Sequence, residues 1–160
     1  MKKLFTTMIV MLAFASVAFA QPRAIGGRLG YNLEFSYQHS ILDDMYVDVT
    51  AGLGNVWNPW AYADATASFD WVFNIKGIWN WFVGPAAGVG FGYGRYYNEY
   101  SYSAVRLNVG AQIGFEWEFG IPLNLTVDWR PMVNVLGFRN DIYGPWYGLA
   151  NVGVGLRYRF

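Results

Sequence analysis

Residues 105–117 read Val-Arg-Leu-Asn-Val-Gly-Ala-Gln-Ile-Gly-Phe-Glu-Trp. Every odd position is apolar, and the even positions hold Arg106, Asn108, Gly110, Gln112, Gly114 and Glu116. Side chains of a strand alternate between two faces, so this period of two describes a strand with one apolar and one polar face. The same parity runs along most of the chain. Gly27, Leu29, Tyr31, Leu33, Phe35 and Tyr37 alternate with Arg28, Gly30, Asn32, Glu34, Ser36 and Gln38. Val47 to Leu53, Ala63 to Trp71, Leu125 to Pro131 and Val152 to Phe160 repeat it, and Trp81 to Tyr93 does so more weakly with glycines on its second face.

The first twenty residues obey another rule. Met1-Lys2-Lys3 is a short positive start, Leu4 to Val17 is almost wholly apolar, and Ala18-Phe19-Ala20 has the small-x-small form of a signal-peptidase site. The apolar run is shorter than the roughly 20 residues of a spanning helix, and no Cys follows it as a lipoprotein signal would require. We therefore read residues 1–20 as a cleaved signal peptide and 21–160 as one domain. With Lys2 and Lys3 set aside, nine Lys and Arg face eleven Asp and Glu. This weakly acidic balance gives no basis for nucleic-acid or polybasic lipid binding. Aromatics make up 20% of the chain, and its 19 glycines accompany no further long apolar run, which points to many strands and turns.

Alternation alone does not say which face meets water. The polar face is built of Gly, Ser, Thr and Asn with charges of both signs, whereas the other carries Trp, Tyr and Phe in bulk and no charge. A barrel of about eight strands has an interior just wide enough to be filled by side chains, so the large aromatics fit better outside, against lipid. Several strands are long enough to cross a bilayer at a tilt. Trp71, Trp81, Trp117, Trp129 and Tyr158 fall near strand ends, where an interfacial aromatic girdle belongs. The expected fold is all-β, a single antiparallel up-and-down transmembrane barrel of nominally eight strands. A soluble periplasmic barrel would leave a large apolar surface to be hidden some other way.

At the C-terminus, Val154, Leu156, Tyr158 and Phe160 place an aromatic last and apolar residues alternately before it. This resembles the terminal-strand signal by which outer-membrane barrels are recognised for assembly. Together with Ala24 to Tyr31, Glu34 to His39, Ile113 to Trp117, Ile121 to Leu125, Asp128 to Pro131 and Gly155 to Phe160, it makes the chain resemble the small outer-membrane β-barrel proteins of the porin or OmpX/OmpA-barrel type, in the form common among Bacteroidetes. The resemblance implies the outer membrane of a Gram-negative cell and says little of activity. Expected partners are outer-membrane lipid and lipopolysaccharide, with barrel-assembly machinery and periplasmic chaperones during biogenesis. A monomer without cofactor or bound metal is expected.

Seven strand-like segments stand out, near 24–39, 45–54, 61–73, 81–93, 103–118, 123–135 and 147–160. With Phe160 in the periplasm, an odd count starts the first strand at the outer face, against the even number usual in bacterial barrels. The inward face carries Arg28, Glu34, Asp48, Asp64, Asp70, Arg106, Glu116, Glu118, Asp128, Arg130, Arg157 and Arg159. Charges in so narrow a space must be paired or hydrated, so an interlocked network filling the lumen is the first expectation and a narrow, cation-preferring pore the second. A wide diffusion pore needs more strands. His39, with Ser36, Ser40 and Glu34 near it in sequence, is the one cluster resembling a lipid-acting hydrolase; a strand-end His bonded to a turn is the simpler reading, and no enzyme is expected. Asp43-Asp44 reads as a solvated turn. Gly88 to Gly94 opens no helix, so its glycines relieve crowding rather than cradle phosphate. The Tyr- and Asn-rich stretches Arg95 to Tyr102 and Arg139 to Trp146 suit either adaptable contacts with a surface partner or glycan, or a cover for the barrel mouth.

Overall fold

A computed structural model of the chain describes residues 22–54, 60–95, 101–138 and 148–160. The elements are β1 (Pro22–Leu29), β2 (Leu33–Leu42), β3 (Met45–Gly54), β4 (Trp60–Lys76), β5 (Trp79–Arg95), β6 (Ser101–Glu118), β7 (Leu123–Trp129), β8 (Met132–Phe138) and β9 (Val152–Arg159). Each of β1 to β6 pairs antiparallel with the next. β7 and β8 line successive stretches of β6, so they are one wall position broken at Arg130-Pro131. β9 pairs with β7 on one side and with β1 on the other, which closes the sheet. The fold is a closed eight-stranded antiparallel up-and-down β-barrel.

The odd count is thereby corrected. The stretch 24–39, read as one strand, is β1 and β2 folded about Gly30-Tyr31-Asn32. Leu29 pairs with Leu33 across that turn. Both are odd-numbered, so the inward and outward parity passes through the turn unchanged and alternation cannot register it. The position of the first strand changes with the count. Ala24 pairs with Arg159, and the Phe160 N–H donates to the Arg23 carbonyl at 3.2 Å, so the chain enters and leaves at the same rim. We call this the lower rim.

The register winds around the wall. From Leu29, partners step through Leu33, Leu53, Ala63 and Phe91 to Val105 on β6. In the other direction they step through Val154 and Val127 to Phe115 on the same strand. The two arrivals differ by ten residues, and such a stagger goes with strongly tilted strands. Connections at the lower rim are short. Gly77, at φ 59°, makes the turn between β4 and β5, and the Asn74 side chain donates to its carbonyl at 3.1 Å.

Burial is inverted relative to a water-soluble domain. Among the described residues eighteen polar or charged side chains are buried against six apolar ones. Leu29, Leu33, Phe35, Leu53, Phe91, Phe115, Leu156 and Tyr158 stand exposed on the outside. Three aromatics depart from the expectation that all bulk lies outside: Tyr46, Tyr62 and Phe82 sit at even positions and are buried inside. The lower rim carries Trp79 edge-on to Trp117 and Phe73 stacked on Trp81, rings belonging to a girdle.

Neighbouring glycines report the two faces. A Cβ on Gly26 would lie 2.1 Å from the Leu156 carbonyl oxygen, whereas one on Gly27 would meet nothing nearer than 3.6 Å. Gly26→Val should cost about 1–3 kcal/mol through overpacking, and Gly27→Val less than about 0.5 kcal/mol. Urea midpoints of the two variants measure this, and equal shifts would contradict the assignment of faces.

Candidate functional site

The barrel interior collects the chain's charged chemistry. The bonds among its ionisable side chains sort them into clusters. In the upper half Arg28, fully buried, donates through Nε and Nη2 to Asp128, with Nη2 2.6 Å from Oδ1, and through Nη1 to Glu34 at 3.1 Å. Glu34 accepts a second arginine, Arg130, at 3.0 Å. Arg130 also donates to Thr50 and to Gln112. The chain of charge thus runs Asp128, Arg28, Glu34, Arg130, from β7 through β1 and β2 back to the residue that follows β7, and Arg28 and Glu34 each bridge two opposite charges.

Below it Arg157 donates to Asp48 at 2.9 Å, to Ser36 at 2.7 Å and to Thr126 at 2.7 Å. The Ser36 hydroxyl and the Gln38 amide each donate to Asp48. Closest to the lower rim, Arg23 donates to Glu116 at 2.7 Å and Arg159 to Glu118 at 2.5 Å. Arg23 is the important residue that alternation missed. It is odd-numbered, but a register shift between Pro22 and Ala24 turns it inward, where its guanidinium also lies 4.2 Å over the Tyr46 ring. Nothing in the sequence marks that shift.

Two acids stand apart. Asp64 accepts from the Asn32 amide at 2.6 Å near the upper mouth, where Arg106 lies over the Tyr62 ring. Asp70 is fully buried, accepts from Ser68 at 2.5 Å and leaves its Oδ1 without a donor; among the described residues no ion pair reaches it. The Tyr46 hydroxyl, on the neighbouring strand in register with Asp70, is likewise without a partner.

Glycines make the room for these side chains. A Cβ at Gly153 would lie 2.5 Å from the Arg28 guanidinium carbon, one at Gly155 2.5 Å from Arg157 Nη1, and one at Gly90 2.5 Å from Arg106 Nε. The glycine-rich faces of β5 and β9 are thus the seats of lumen arginines.

The hydrolase cluster does not assemble. His39 is on the outer face, with its Nδ1 3.0 Å from the Tyr37 hydroxyl, whereas Glu34 and Ser36 point into the lumen on the other side of the wall. Val154, Leu156, Tyr158 and Phe160 are exposed along the outside of β9. No cluster of three or more potential metal ligands occurs among the described residues. Residues 1–20 lie outside those described, as do 96–100 of the stretch Arg95 to Tyr102 and all of Arg139 to Trp146.

No family model and no curated protein matches the sequence. Among solved structures the chain is similar to Neisserial surface protein A, with a TM-score of 0.56 and 12% identity over 87% of this chain and 94% of that one. At that identity the likeness is one of fold, and the fold is of the outer-membrane β-barrel type.

A buried pair broken on one side leaves a charge without compensation, at a cost of about 3–5 kcal/mol. Asp48→Asn should therefore lower the urea midpoint strongly, whereas the half-exposed pair of Arg159 and Glu118 should lose no more than about 1 kcal/mol on Glu118→Gln. Replacing both ions, as in Asp48→Leu with Arg157→Met, should recover much of the first loss. Equal, small effects at both pairs would mean that water reaches the interior freely.

Proposed function

We propose that the chain is an integral outer-membrane protein of a Gram-negative bacterium, of the small porin or OmpX-like kind. Its wall anchors it in lipid and its polar interior is a structural plug. The observation that carries this reading is the inverted polarity: a continuous outer belt of exposed Leu, Val, Phe and Trp around an interior of paired ions. A belt of that extent in water would be far larger than the few hundred Å² a soluble monomer tolerates. In hydrocarbon it is matched, and β1 to β7 with β9 form a closed ring in which each strand pairs on both sides. The residue 1–20 signal peptide and the β9 pattern ending in Phe160 fit export followed by assembly through the barrel-assembly machinery, with periplasmic chaperones on the way.

On this reading the lower rim faces the periplasm. The tight turns at 43–44 and 77–78 and the connection 119–122 then lie there, and the β1–β2 turn with the upper ends of β3 to β6 and β8 faces the cell surface. A surface-interaction role follows from that placement, and the solved neighbour is itself described as a surface protein. Lipid and lipopolysaccharide contact the belt, and the barrel acts as a monomer with no catalytic step.

One observation favours a second reading, a narrow cation-preferring pore: Asp70 is an inward acid with no counter-ion beside it. The arginine clusters above and below it argue against passage, since an ion would have to part several charge-assisted bonds at once.

The protein isolated from a membrane fraction should run as two bands on cold and boiled SDS gels, because a closed barrel resists SDS until heated. In planar bilayers it should show no steady single-channel current. Discrete cation-selective openings that vanish in Asp70→Asn would replace the plug reading with the pore; a single gel band and solubility in plain buffer would remove the membrane reading altogether.

A further inference from the structure

The upper rim is uneven. β4, β5 and β6 span 17, 17 and 18 residues, whereas β1, β2 and β3 span 8, 10 and 10. Beyond the row that joins Leu29, Leu33, Leu53, Ala63, Phe91 and Val105, β3 adds one residue and β6 adds four. The stagger of the register lifts the β6 side further, so the rim is low at the β1–β2 turn.

Two concavities meet at that low point. On the outer wall is a groove of about 910 Å³, with Gly27, Ala51 and Ala63 among its lining and Leu33, Phe35 and Leu53 beside them. The register explains the hollow. Small residues at Gly27, Ala51 and Ala63 share rows with the bulkier Phe35, Leu33 and Leu53, so the wall recedes between them. On the inner side is a polar cavity of about 40 Å³ lined by Tyr62, Thr66, Arg106, Asn108 and Asn151 among others. Tyr31, Asn32 and Asp64 line both. An apolar groove and a hydrogen-bonding cavity are therefore continuous across the rim.

We propose that groove and cavity together bind one single-chain amphiphile with a small neutral head, a monoacylglycerol in chemical class. This rests on the membrane placement argued above. The acyl chain lies in the groove, and the glycerol hydroxyls reach over the rim to Asn32, Asp64 and the groups behind them. The size of the cavity decides the head: about 40 Å³ admits a few water-sized groups at roughly 10–15 Å³ each and no sugar ring. Its charge decides the rest. Asp64 and Arg106 bring one charge of each sign among amides and hydroxyls, which suits hydroxyls better than a phosphate or an ammonium.

A monoacylglycerol with a photoactivatable chain tests this on the protein isolated from membranes and placed in phosphatidylcholine bilayers. Labelling should concentrate on peptides containing Gly27 to Phe35 and Ala51 to Ala63 and should be chased by unlabelled monoacylglycerol. In Ala51→Phe/Ala63→Phe it should fall by about tenfold, equivalent to about 1.4 kcal/mol. Ala87→Phe, on the outer wall away from the groove, should leave it unchanged. Asp64→Leu, which leaves Ala51 and Ala63 of the groove in place, should also lower it, which keeps the test available if the double variant fails to fold. Labelling spread evenly around the belt, or indifferent to these substitutions while the heat-shifted gel band persists, overturns the site and spares the membrane reading. Loss of the heat-shifted band in the unsubstituted protein overturns both.

Discussion

The controlling constraint is that the interior of an eight-stranded barrel is about wide enough for side chains to fill, so an ion placed there depends on the polar and charged groups of its neighbours. Removing an ion from water costs several kcal/mol even after relaxation. Arg28 meets this by lying between Asp128 and Glu34, Glu34 by accepting from Arg28 and Arg130, and Arg157 by filling its donors with Asp48, Ser36 and Thr126. These bonds join residues up to 121 positions apart, so they tie the two ends of the chain to the middle. A hydrocarbon exterior supplies no hydrophobic drive to hold strands together. Inside such a wall, bonded ions and the closed backbone ladder take the place that a packed apolar core holds in a soluble domain.

Side-chain size follows from the same narrowness. Guanidinium groups that span the lumen need a wall without Cβ atoms beneath them, and Gly153, Gly155 and Gly90 supply it. The bulk displaced from inside goes outside, where Phe, Trp and Leu face no such limit. Tyr46 and Phe82 are the exceptions that define the rule. They pack against each other at 6.1 Å between ring centres near the lower rim, and Arg23 covers the Tyr46 ring. Aromatic filling is added there to ion pairing, since the same Arg23 pairs with Glu116.

Period-two alternation made the fold class and the face of most strand residues readable from sequence. It failed where geometry leaves parity untouched or breaks it without a marker. The turn at Gly30-Tyr31-Asn32 kept parity, because Leu29 and Leu33 are partners an even number of residues apart, and so two strands looked like one. The bulge at Arg23 broke parity at a residue with no pattern before it, and a pairing partner of Glu116 went unseen. Which acid pairs with which arginine was beyond reach as well. Pairing is set by the ten-residue stagger, and a stagger belongs to the closed sheet rather than to any one strand. Asp70 shows the difference: it alternates like Asp48, yet the register brings it no arginine.

The stagger also explains why the two rims differ in character. The start of β1 and the end of β9 meet at the lower rim, and tight turns join most of the other strands there. At the upper rim the tilted wall climbs from the β1–β2 turn toward β6. At Pro131, which has no N–H to donate, the wall position shared by β7 and β8 lets go of β9 and continues along β6 alone. Trp129 marks the parting, with its indole N–H donating to the Leu149 carbonyl at 2.6 Å as β9 is about to begin at Val152. One side of the barrel therefore ends flush with its polar interior while the other rises past it. A wall that falls away to the level of its own lumen at one point brings apolar surface and hydrogen-bonding groups within reach of a single molecule. A symmetric rim would hold the two apart.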